Sequence, residues 1–156
     1  MSWADFEQAD PTLARRVQER LASHRHKVLA TLRINGSPRL SGMEAPIRSG
    51  HLWLAMTPGS QKAADLRRDP RYSLHSAPDS EHLPEGDARI EGVVLPADPA
   101  QEAEFVAGHR YRIEDPSMME LFVALISRVV LVRVAEQSLL IESWTPGDGR
   151  STQRRQ

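Results

Sequence analysis

The spacing of apolar side chains divides this chain into short amphipathic elements separated by strong turn signals. Leu13, Val17 and Leu21 recur at helical spacing behind Asp10-Pro11, which predicts a helix over residues 11–23. Asp10 can accept the free amides of the first turn, and proline at the first helical position lacks only an amide that would be orphaned there. Residues 27–34 (KVLATLRI) are β-rich, and Asn35-Gly36 reverses the chain because both residues tolerate positive φ. A second strand is expected over residues 39–47. Ser49-Gly50 then leads to a third over 51–57, where Leu52, Leu54 and Met56 share one face. Pro58-Gly59 ends it. Ser60 can cap a short helix carrying Ala63, Ala64 and Leu66, which stops at Asp69-Pro70 because a residue before proline avoids the α region.

Strands are expected again at 72–76 and 88–95, either side of a polar loop at 77–87. Asp98-Pro99 and Asp115-Pro116 repeat the capping signature and predict helices over 99–109 and 117–124. Residues 129–134 and 139–144 read as a final hairpin, and the polar residues 146–156 as a disordered tail after a single domain over 1–145. Most strand pairs have short links, which implies antiparallel neighbours. Seven short strands closing on themselves would leave no exposed edge. The expectation is therefore a mainly β, α+β fold: a small antiparallel barrel with helices on its outside.

Composition narrows the function classes. A chain of 156 residues buries enough surface for one core. Without cysteine it has no disulfide, thiolate metal cage or thiol nucleophile. A formal net charge of −1 speaks against a general nucleic-acid binder, which carries a basic surplus. The charge is uneven, however, at net +5 over residues 1–78 and −6 over 79–156, so a local anion site is open to the first half. No basic start leads into an apolar core and no apolar run is long enough to span a bilayer, so a soluble cytoplasmic protein is expected. There is no GxGxxG after a strand and no GxSxG elbow. His24 and His26 lack a third ligand at sensible spacing and His51, His75, His82 and His109 are scattered, so no metal site is expected. Glu102, Glu104, Glu114 and Asp115 read as helix faces and caps, and Trp53 as strand packing.

One segment concentrates candidate chemistry. The third strand runs into a helix through Thr57-Pro58-Gly59-Ser60-Gln61-Lys62. A helix start offers free amides and partial positive charge to a phosphate, and the hydroxyls of Thr57 and Ser60 and the Lys62 ammonium add to it. If Arg48 faces His51 across a two-residue turn, opposing positions sum to 99, which sets Arg39 opposite 60 and Ser41 opposite 58. A capping serine, a solvated first-turn lysine and a surface arginine account for the same residues without any ligand. Lys62 nevertheless opposes the helix macrodipole, which a bound anion would explain. Trp144 is open to two roles, stacking on a planar ligand or packing in a core or interface.

The run from Val28 to Ala77 resembles the flavin-binding split-barrel proteins related to pyridoxamine 5'-phosphate oxidase. The matching residues are Leu29-Ala30-Thr31-Leu32 before the Asn-Gly turn, the strand at 51–57, the Ser60-Gln61-Lys62-Ala63 helix start, and Leu66-Arg67-Arg68-Asp69-Pro70-Arg71. The resemblance implies a six- or seven-stranded antiparallel split β-barrel. It also implies a homodimer that holds FMN, or the deazaflavin coenzyme F420, between subunits. Arg39, Ser41, Thr57, Ser60, Gln61 and Lys62 would then contact the phosphate and ribityl chain. Met56, Ala55 and Met43 would pass near the ring, and Trp144 would come from the neighbouring subunit. Arg67, Arg68 and Arg71 could serve a longer anionic tail or simply solvate a helix end. The C-terminal segment with Arg and His that grips substrate phosphate in true pyridoxamine phosphate oxidases has no counterpart, so the pattern is closer to short flavin or deazaflavin reductases. The expected activity is hydride transfer between the cofactor and a small planar substrate, with no side chain assigned as acid or base. A non-catalytic flavin-binding protein and a haem binder are the competing readings.

Overall fold

The computed structural model describes residues 1–78, 86–108 and 115–156. His82, His109, Glu114 and most of the loop expected at 77–87 lie outside them. Asp10 caps α2 (Pro11–Ala22), its carboxylate accepting from the Leu13 amide at 3.0 Å, and Leu13, Ala14, Val17 and Leu21 are buried, as the periodicity predicts. Ahead of it lies an unforeseen α1 (Trp3–Ala9). Seven residues are too few for a helix stable by itself. Here the Ser2–Asp5 capping box closes its first turn, and Trp3 and Phe6 anchor it in the core.

Nine strands follow among the described residues: β1 (Lys27–Leu32), β2 (Pro38–Met43), β3 (Ile47–Arg48), β4 (His51–Met56), β5 (Arg71–His75), β6 (Asp87–Pro96), β7 (Glu120–Ala135), β8 (Ser138–Thr145) and β9 (Gly149–Arg155). Helices α3 (Gln61–Arg68) and α4 (Pro99–Ala107) interrupt them. All pairings are antiparallel, in the order β2-β1-β5-β6-β7-β4-β3. The 16-residue β7 branches the sheet: its start pairs with β4 and its end with β8, which pairs in turn with β9.

The expected barrel is not formed. Among the described residues no ladder joins β2 to β3 or β4, so the α+β sheet stays open. The reason lies in Pro46. Arg48 does face His51 across Ser49 and Gly50, both at positive φ, in the predicted register. The next hydrogen-bonding pair is Pro46 with Trp53. Pro46 accepts from the Trp53 amide at 2.9 Å but has no N–H to return, and the ladder ends after two residue pairs. The strand expected over 39–47 is thus two strands, and β2 takes its partner from β1, with Thr31 opposite Arg39.

Two further expectations are corrected. The helix over 117–124 is a single 3-10 turn, Pro116–Met118, followed by the start of β7. An apolar run such as LFVA suits helix and strand alike, and the flanking strands β4 and β6 decide it. The tail is not disordered along its length, since Gly149–Arg155 pairs with β8 despite its polarity. Buried Glu142 on β8 reaches Arg150 of β9 at 3.5 Å and Arg16 of α2 at 2.7 Å, tying that strand to the body. Among the described residues no helix is long and apolar enough to cross a membrane.

Trp144 is 3% exposed, its ring 4.7 Å from that of Phe6 in α1. Trp144→Ala is expected to destabilise the fold by about 3–5 kcal/mol, the cost of emptying a large buried aromatic site. Urea denaturation checks this, and a loss below 1 kcal/mol (roughly the cost of a surface change) would contradict core packing.

Candidate functional site

Asp65 organises the opening of α3. Its side chain is buried, yet its carboxylate accepts from Arg39 Nε at 2.7 Å, Thr31 Oγ1 at 2.9 Å and Arg68 Nη2 at 3.2 Å. Burial pushes this carboxyl up, but the hydrogen bonds from Arg39, Thr31 and Arg68 outweigh it and hold the group below its ordinary value. Arg39 Nη2 also reaches Gln61 Oε1 at 3.5 Å. The arginine therefore meets the helix start as expected, though by another route: α3 packs on β1, and β1 carries β2 beside it.

Around that start, Ser60 is the N-cap, its hydroxyl accepting from the Ala63 amide at 3.4 Å. Thr57 closes the preceding turn by accepting from the Ser60 amide at 3.1 Å, and Gly59 takes the positive φ of +73° that the turn needs. Thr57 and Gln61 are exposed and Lys62 is half-buried, with no ion pair to Lys62 among the described residues. Ser41 lies between Arg39 and Met43 on the same face of β2, opposite Leu29 rather than position 58.

Met43 leads to a second feature. A cavity of about 700 Å³ opens where β2 and β4 part. Gly42, Met43 and Glu44 line it together with Arg48, Ala55, His26 and Phe105. Arg48 donates to the carbonyls of Gly108 and Phe105, and its guanidinium lies 4.6 Å from the Phe105 ring centroid, which pins the end of α4 over the cavity. Arg25 pairs with Glu44 at 2.6 Å on the rim.

Of the sequence candidates, Arg39, Ser60, Gln61 and Lys62 gather at the start of α3, while Met43 and Ala55 line the cavity. Arg39 and Met43 are four residues apart on one strand, about 13 Å at the usual rise. Met56 and Trp144 are buried in the core, as Met43 is, but do not line the cavity. Sequence reasoning missed Asp65 and Thr31, whose only signal was an acidic residue on the apolar face of a short helix. It also assigned Arg48, His26 and Phe105 no site role. Among the described residues no three His, Asp or Glu side chains could share a metal ion.

An open antiparallel sheet with flanking helices, a basic helix start and a roomy cavity along the same strand defines an α+β class. The family model for pyridoxamine 5'-phosphate oxidase matches residues 13–137, and the chain belongs to that flavin-binding, split-barrel superfamily. Solved structures share the fold. PhzG from Burkholderia lata, in complex with tetrahydrophenazine-1-carboxylic acid, aligns with TM-score 0.71 at 11% identity over 97% of this chain and 92% of its own. A pyridoxamine 5'-phosphate oxidase-related, FMN-binding protein from Nostoc punctiforme aligns at 0.63 and 16% over 94% and 96%. A heme-binding protein from Mycobacterium smegmatis aligns at 0.58 and 19% over 93% and 88%. No curated protein matches the sequence.

Because the Asp65 carboxyl is held low in the fold, its contribution is complete above its unfolded value near pH 4 and is lost as pH falls through the lower folded value. Unfolding free energy followed from about pH 6 to 2 is expected to fall less steeply in Asp65→Asn than in the parent. Superimposable acid limbs would contradict the ion-pair account.

Proposed function

We propose that this chain is a flavin-dependent oxidoreductase that binds FMN. The phosphate would lie at the start of α3 among Arg39, Ser60, Gln61 and Lys62, the ribityl chain along Thr57 and Ser41, and the ring toward the cavity beside Met43 and Ala55. One observation carries this reading: Arg39 meets Gln61 at the helix start, while Met43, at the far end of the same strand, lines the cavity. That separation suits a ligand with an anionic end and a planar head. When bound, the flavin supplies hydride transfer to or from a small planar substrate. The chain's own part is to bind and orient: charge-assisted hydrogen bonds hold the phosphate, and Phe105, fixed by Arg48, limits water at the cavity.

A homodimer belongs to the same proposal. Leu40, Leu95 and Val93 are 70%, 52% and 38% exposed, and all stand on one face of the sheet. These exposed apolar side chains support burial against a second copy. In gel filtration with light scattering the parent is expected to run as a dimer and Leu40→Glu with Leu95→Glu to shift it toward monomer. A monomeric parent would refute this part.

A second reading, haem binding, draws on His26 at the cavity and on the heme-binding relative. Absorbance of the purified protein, with titration of FMN, F420 and haem, separates the readings. FMN is expected to bind tightest, and Lys62→Ala to weaken it by about 1–3 kcal/mol, the worth of a charge-assisted contact. Unchanged affinity in that variant, or preference for haem or F420, would overturn the FMN assignment. Bound flavin that neither NAD(P)H nor a panel of planar substrates turns over would identify a non-catalytic flavin carrier.

A further inference from the structure

We infer that Asp65 is a positioning residue: it grips Arg39 by Nε so that the terminal amines of the guanidinium face the opening of α3, where a phosphate monoester would sit. The inference rests on the flavin site proposed above. Asp65 is 3% exposed, and both carboxylate oxygens are occupied, Oδ2 by Arg39 Nε and Thr31 Oγ1, Oδ1 by Arg68 Nη2. Thr31 is the residue opposite Arg39 in the β1–β2 ladder, so the strand pair that carries the arginine also fixes its counter-ion.

The manner of the grip matters. A bidentate fork would commit a terminal amine to Asp65 and rotate the guanidinium toward the core. Held by Nε alone, it commits neither terminal amine to Asp65. Among the described residues their one side-chain contact is Nη2 with Gln61 Oε1 at 3.5 Å, long enough to be exchanged for a stronger acceptor. Nor does the pair neutralise the site. One carboxylate faces two guanidiniums, Arg39 and Arg68, and Lys62 adds a further positive charge on the first turn. Arg67, the remaining cation of α3, is satisfied elsewhere by Glu120. Asp65 thus orients a cation without cancelling the attraction for a dianion.

FMN and riboflavin differ only by the phosphate, so the pair isolates this role. Both are titrated into the parent, Asp65→Asn, Arg39→Ala and the double variant, with folding monitored by circular dichroism. Asp65→Asn is expected to weaken FMN on the order of tenfold and leave riboflavin unchanged, since only an oriented charge-assisted contact is lost. In the Arg39→Ala background it is expected to change FMN affinity no further, the signature of a residue acting through Arg39. Unchanged FMN affinity, an equal loss for riboflavin, or an effect that persists without Arg39 would overturn the role. If Asp65→Asn does not fold, Thr31→Val, which removes one donor and no charge, carries the same test. A smaller loss specific to FMN is expected, and no loss overturns the inference. A parent that binds neither flavin overturns the flavin site and this role together, whereas a parent that binds FMN beside an indifferent variant overturns the role alone.

Discussion

The architecture turns on one missing hydrogen bond. Pro46 can accept from Trp53 but cannot donate back, so the hairpin of β3 and β4 ends almost as soon as it starts. A residue with an amide proton there could return the bond to Trp53 and lengthen the hairpin. Proline instead parts two strand edges, and the space between them is the cavity lined by Gly42, Met43, Arg48 and Ala55. The backbone groups at such an opening are left for water or a ligand, which is how an antiparallel fold makes a binding site without losing its core.

The second constraint is electrostatic. A buried carboxylate is costly unless its oxygens are fully used, and Asp65 uses both. Three donors from three elements, Thr31 on β1, Arg39 on β2 and Arg68 on α3, lock these elements to one another around a single charge. Stability and site geometry are therefore coupled at this point. The chain cannot loosen Arg39 without also loosening the seat of α3 on the sheet.

Structural relatives between 11% and 23% identical to this chain share the fold, though their names include an FMN-binding protein, a heme-binding protein, a heme storage protein and a protein with a phenazine-type ligand. The fold thus leaves chemistry open, and function has to be argued from the side chains of the site. In this chain these are a basic first turn, an arginine anchored from below and a cavity margin that includes a histidine.

Local signals were legible from the amino-acid sequence. Asp10-Pro11, Ser49-Gly50, Ser60 and Asp69-Pro70 act through backbone angles and hydrogen bonds within a few residues, and each marks the boundary it predicts. Asn35-Gly36 reverses the chain, but β1 ends at Leu32, two residues short of the strand expected over 27–34. Arg39 near the helix start was legible too, although through a ladder that does not extend that far. Pairing was not legible. The run LFVA became strand because β4 and β6 flank it, the polar tail became β9 because β8 offered an edge, and seven residues became α1 because the core had room for Trp3 and Phe6. The Asp65 cluster does not exist until β1 brings β2 and α3 together, nor the cavity until β2 and β4 are set near one another. Contacts between residues far apart in the chain depend on which edges remain free after the rest has folded, and no short window of residues carries that information.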